Sequence, residues 1–154
     1  MKKNPFFIIL SIILLFCNVQ CKKDDITPVP SNIVLYDKPL KTIQKCIQGK
    51  WKLAYAQGGI DNSFKYYCDS CFVEFTSNNK ILIPKKDGTY FINTTIEWIR
   101  DIGAYTNNEY TYLMKYSDQY GYPNIYVVDG ISNDTLIYHD NASDPVFYHY
   151  IKTN

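Results

Sequence analysis

The chain carries none of the short motifs that mark familiar catalysts. There is no G-x-S-x-G, no H-E-x-x-H and no glycine-rich phosphate loop. Histidine is scarce: only His139 and His149 occur among 154 residues, without ligand spacing to any cysteine pair, so no metal is expected. Neither sign of charge dominates, with 16 basic and 15 acidic residues, which argues against a nucleic-acid partner. No apolar run reaches the roughly 20 residues that a membrane-spanning helix needs. There is no internal repeat, and no helical pattern long enough for a β-α-β crossover. Glu74, Glu97 and Glu109 are isolated acids on strand patterns, expected to face solvent. His139, Asp140 and Ser143 share one strand-end turn, where a catalytic cleft is not expected. These absences predict a protein that is not an enzyme and holds no cofactor.

What is present begins with a leader. Met1-Lys2-Lys3 is basic, and Pro5 to Cys17 is almost wholly apolar. A basic stretch before an apolar run of about 12 residues has the form of a secretory signal. Such a run would span about 18 Å as a helix, well short of a bilayer core. The end of the run resembles a bacterial lipoprotein signal, in which cleavage falls before a cysteine that is then acylated. Cys17 lies inside the apolar run behind Phe16, whereas Cys21 lies just beyond it and is followed by charge. Cys21 is therefore the expected lipid anchor, and residues 1–20 the signal peptide. Asn18 and Gln20 stand where such signals usually have leucine and a small residue. Lys22 to Asp25, "KKDD", resembles the export signal of surface-exposed lipoproteins of Bacteroidota, and implies an outer-membrane protein at the cell surface. Residues 21–36 contain two prolines and no sustained period, and read as a flexible tether. Residues 37–154 are long enough for one domain with its own core.

Cys46, Cys68 and Cys71 remain for that domain, and an exported protein favours a disulfide. Cys68-Asp69-Ser70-Cys71 runs into the strand pattern "FVEF" rather than into a helix, so a structural bond is expected over a redox pair. The partners are Cys68 and Cys71, or Cys46 with either one.

Leu40, Ile43 and Ile47 have helical spacing between Pro39 and Gly49, which predicts one short helix. Period-two patterns follow at 50–56, 71–76, 80–83, 89–100, 109–116, 125–130, 134–139 and 146–152. The fourth is long and expected to bend near Asn93. Eight strands with short links predict an antiparallel, up-and-down barrel that closes on itself.

Gly49-Lys50-Trp51 falls at the junction of the helix and the first strand. It resembles the lipocalin signature G-x-W. The wider pattern, including "GKWKLAYAQGG", "FVEFT", "TTIEWI" and "VVDGISNDTLIYHDNASDPVFYHYIK", is similar to lipocalin-like lipoproteins of Bacteroidota. The resemblance covers roughly residues 40–152. It implies an all-β, eight-stranded lipocalin-like barrel in which Gly49 allows a tight turn and Trp51 closes one end. Lipocalins also stack a basic residue on that tryptophan, and only Lys152 is available here. Asp134-Thr135-Leu136 resembles the short O-glycosylation motif of Bacteroidota; it also reads as a strand start after a turn.

Fifteen tyrosines fit two readings. In one, the barrel holds a small hydrophobic ligand lined by Tyr55, Phe75, Trp98, Tyr112 and Met114. In the other, side chains fill the barrel and it acts through its surface as a protein-interaction or adhesion module. Tyr120 and Tyr122 in "SDQYGYPN" are the expected external contact.

Overall fold

A computed structural model describes residues 29–58 and 64–153. The expected signal peptide, Cys17, Cys21 and the charged stretch Lys22 to Asp25 lie outside the described residues. In chain order the elements are β1 (Ile33–Val34), α1 (Leu40–Ile47), β2 (Gly49–Gly58), β3 (Phe64–Tyr66), β4 (Phe72–Phe75) and β5 (Lys80–Pro84). Then come β6 (Tyr90–Thr95), β7 (Glu97–Ile102), β8 (Tyr110–Ser117), β9 (Pro123–Ser132), β10 (Thr135–Asp140) and β11 (Val146–Lys152).

The strands lie in the order β6-β5-β4-β2-β11-β10-β9-β8-β7, all pairings antiparallel. β1 extends the edge of β9, and β3 extends that of β2. The last strand pairs with the first long one, and the two ends of the path, β6 and β7, follow one another in the chain. The result is a nearly closed antiparallel barrel with one short helix.

Eleven described strands replace the eight expected. Two of the additions, β1 and β3, have only two and three residues. The third arises because the long strand expected over 89–100 breaks at Ile96, not near Asn93. Asn79, in a left-handed conformation (φ 63°), holds the break open. Its carbonyl accepts the Ile96 N–H at 2.9 Å, and its Nδ2 donates to the Ile96 carbonyl at 2.8 Å. Its Oδ1 accepts from Trp98 Nε1 at 2.7 Å and from Gln44 Nε2 on α1 at 3.2 Å. One side chain thus ties the helix to the bend. The end of the expected tether also differs. Ile33 and Val34 pair with Ile131 and Gly130, and Leu35 is fully buried, so the barrel domain starts before residue 37.

Helix α1 packs Ile43, Cys46 and Ile47 into the core, as its spacing demands. Gly49 follows at φ 122°, a conformation that disfavours any side chain. Trp51 is buried, and its indole N–H donates to the Ile47 carbonyl at 2.7 Å. Lys152 Nζ lies 5.3 Å from the centre of the Trp51 ring, supplying the expected basic residue from the last strand.

Three β-bulges interrupt the two-residue period. Ala54 is the extra residue between β2 and β11, Asp129 between β9 and β10, and Phe91 between β5 and β6. A bulge turns the chain so that side chains beyond it change face. All three bear on the sites described next.

Candidate functional site

The five residues expected to line a ligand cavity do not come together. Phe75 is buried in the core, and Trp98 is half-buried beside it. Both border a cleft of about 260 Å³ at the α1 end, with Gln44, Ile47, Asn79 and Ile96. Tyr112 borders a different cleft of about 270 Å³, and the Arg100 guanidinium lies 5.6 Å from the centre of its ring. Met114 is fully buried and borders neither cleft. Tyr55 is on the outer face. The bulge at Ala54 breaks the alternation that puts Trp51 and Leu53 inside, so Tyr55 pairs with His149 and stacks on it at 4.2 Å. Lys65 Nζ sits 4.3 Å from the Tyr55 ring centre.

Tyrosine fills much of the space where a ligand would sit. Tyr116 stacks on Tyr126, Tyr126 meets Tyr138 edge-on, and Tyr138 stacks on both Tyr148 and Tyr150. Burial pushes the phenols of Tyr116 and Tyr138 far above their ordinary range, and that of Tyr150 up to about 12. Burial also raises the Asp140 carboxyl.

The outside of the β8–β10 wall is covered as well. The segment 103–109 folds back across it and buries Thr106, Thr111 and His139. His139 Nδ1 lies 2.8 Å from Asp129 Oδ2, which the second bulge presents, and Nε2 lies 3.0 Å from the Ala104 carbonyl. The ring thus bridges the Asp129 carboxylate and the Ala104 carbonyl. Asn141 Oδ1 accepts the Ala104 N–H at 2.7 Å, and Tyr105 Oη donates to the Ser143 carbonyl at 3.2 Å. Gly103 is needed here, since an added Cβ would meet the Thr106 and Thr111 methyls at 2.8 Å. His139 thus faces Asp129 and the segment, while the Asp140 carboxylate accepts the Val146 N–H at 3.3 Å.

Cys68 and Cys71 form a disulfide with S–S 2.02 Å, which closes the pairing question, and Cys46 is a buried free thiol. Glu97 and Glu109 are exposed and Glu74 is half-buried. Tyr120 and Tyr122 are exposed on a loop whose backbone donates twice to Asp118 Oδ1. Thr135 begins β10 after left-handed Asn133 and Asp134. Among the described residues no group of three or more His, Cys, Asp or Glu side chains could hold a metal ion.

A cleft not foreseen from the sequence lies where the disulfide loop meets the β5–β6 hairpin. It encloses about 480 Å³, bordered by Cys71, Phe72, Ile83, Pro84 and Phe91, with Lys85, Lys86 and Asp87 at its rim. The third bulge places the half-exposed Phe91 there. The signal in the sequence was "IPKKDGTYF": a lysine pair in a hairpin turn with aromatics just past it.

No family model, no curated protein and no solved structure matches this chain.

Proposed function

We propose that the protein is a non-enzymatic, lipid-anchored binding module at the outer membrane and cell surface, and that it binds through the outside of a filled barrel. The observation that carries this reading is the contrast between the two faces. Phe75, Met114, Tyr116 and Tyr138 are at most 5% exposed, and none of the clefts described borders Met114, Tyr116, Tyr126 or Tyr138. Outside, Phe64, Tyr66, Tyr67, Tyr90, Phe91, Tyr120 and Tyr122 are all at least 45% exposed. Rings standing in solvent in such number suit recognition better than solubility. The anchor part of the proposal rests on the leader and Cys21. Cys21→Ala is expected to release the protein from membranes, whereas Cys17→Ala is not.

The binding part is tested by hydrogen exchange with an apolar fluorescent probe, N-phenyl-1-naphthylamine. Surface binding predicts protection confined to the outer aromatic strands, with the ultraviolet absorbance of the buried tyrosines unchanged. Perturbed tyrosine absorbance, with protection centred on β8 to β10, would return the ligand to the barrel interior and overturn the proposal.

A further inference from the structure

We infer that the cleft between the disulfide loop and the β5–β6 hairpin binds one single-chain anionic amphiphile of the fatty-carboxylate class. The inference rests on the surface-binding reading above and names its site and ligand. Three observations lead to it. First, the volume of about 480 Å³ falls within the roughly 300–1,000 Å³ of small-molecule sites, unlike the clefts at Phe75 and Tyr112. Second, the walls are apolar: Phe72, Ile83, Pro84, Phe91 and the disulfide present hydrocarbon and sulfur to the space. Third, the charge at the rim is mainly positive. Lys85 Nζ lies 5.0 Å from the Phe91 ring centre and Lys86 stands beside it at the rim; Lys50, outside the lining, lies 5.1 Å from the Phe72 ring centre.

The one acid at the rim is already engaged. Asp87 Oδ1 accepts the Thr89 N–H at 2.9 Å and the Thr89 hydroxyl at 2.6 Å. Neither Lys85 nor Lys86 forms an ion pair within 4.0 Å among the described residues, though Lys85, after the Thr89 hydrogen bonds, helps hold the Asp87 carboxyl low. A chain lying between the two rings would therefore bring its carboxylate to the lysines. The same rim repels a cationic head group. Phe91 is a bulge residue, and bulges are a recurrent means of aiming a side chain at a site.

The experiment uses the full-length protein in neutral phosphatidylcholine nanodiscs and a diazirine-bearing dodecanoate as probe. Photolabelling is expected at residues 70–72 and 83–91, competed by dodecanoate but not by dodecyltrimethylammonium. Phe91→Ser and the double change Lys85→Glu with Lys86→Glu should each weaken labelling at least about tenfold. Phe91, Lys85 and Lys86 are at least partly exposed, and circular dichroism with unfolding midpoints verifies that each variant is folded. Labelling unchanged in folded variants overturns the inference, as does equal competition by the cationic amphiphile. Engagement of phosphatidylglycerol nanodiscs without capture of dodecanoate also overturns it, because the surface would then read a membrane. Labelling of β8 to β10 with altered tyrosine absorbance would overturn the surface reading as well. Absence of labelling with that absorbance unchanged would overturn only the ligand and site named here.

Discussion

The barrel has two unlike halves. From β8 to β10 much of the wall is packed on both faces. Inside are the stacked tyrosines, and much of the outside is sealed by the segment 103–109, with His139 wholly buried beneath it. From β3 to β6 the wall is packed on one face at most. β3 is exposed throughout, and β6 alternates between exposed and half-buried. Side chains locked from both sides make a scaffold, whereas a wall covered on one side leaves rings and cations free to meet a partner. The difference teaches where stability resides and where binding is expected, and each can be disturbed without the other.

The largest expected effect is in the two-sided half. Tyr138→Ala should cost about 3–5 kcal/mol in denaturant unfolding, since it removes a buried ring that stacks on two others. Phe91→Ala should cost under about 1 kcal/mol, because its ring is half-exposed. Equal costs would break the contrast. Next, His139→Ala should cost about 2–4 kcal/mol by removing a fully buried ring that bridges Asp129 and the Ala104 carbonyl. Amide exchange should accelerate across 103–109 and stay unchanged in the β5–β6 hairpin. Reducing Cys68–Cys71 should cost about 2 kcal/mol or less, because a four-residue loop removes little chain entropy. The smallest change is Thr111→Val. Its hydroxyl is the one buried side-chain polar atom without a partner among the described residues, so this replacement should be neutral or stabilise by up to about 1 kcal/mol.

Alkaline titration sharpens the same comparison. Burial raises the phenol of Tyr150 up to about 12, and shifts those of Tyr116 and Tyr138 in the same direction. The unfolded chain loses these protons near pH 10, so the folded state binds them more tightly above that pH. Their contribution is therefore complete below about pH 10 and declines as pH rises through the folded values. Unfolding followed by tyrosinate absorbance should be cooperative above about pH 10. Tyr150→Phe should move its midpoint upward.

The barrel and its helix were legible because their signals are local. Alternating apolar residues mark the strands, and Leu40, Ile43 and Ile47 mark the helix. Trp51 and Lys152 come together because the first long strand and the last one pair when the barrel closes. What stayed hidden depends on register. A single extra residue at Ala54 moves Tyr55 from an expected cavity to the outer face. The same kind of insertion at Asp129 creates the contact with His139, and at Phe91 it places a wall of the cleft. Nothing in a two-residue period says where it will skip. The break at Ile96 was misplaced for another reason: it is imposed by Asn79, 17 residues earlier.

The free thiol beneath α1 bears on how this chain would mature under oxidising conditions. The three cysteines among the described residues permit three pairings, and two of them would trap Cys46. Cys68 and Cys71 are separated by only two residues, so their encounter is fast, whereas Cys46 must close a loop of more than twenty. Once α1 docks, burial raises the Cys46 thiol, leaving little thiolate to attack the finished bond. On this argument the near pair is expected to close first, and docking of α1 then withdraws the third sulfur from exchange.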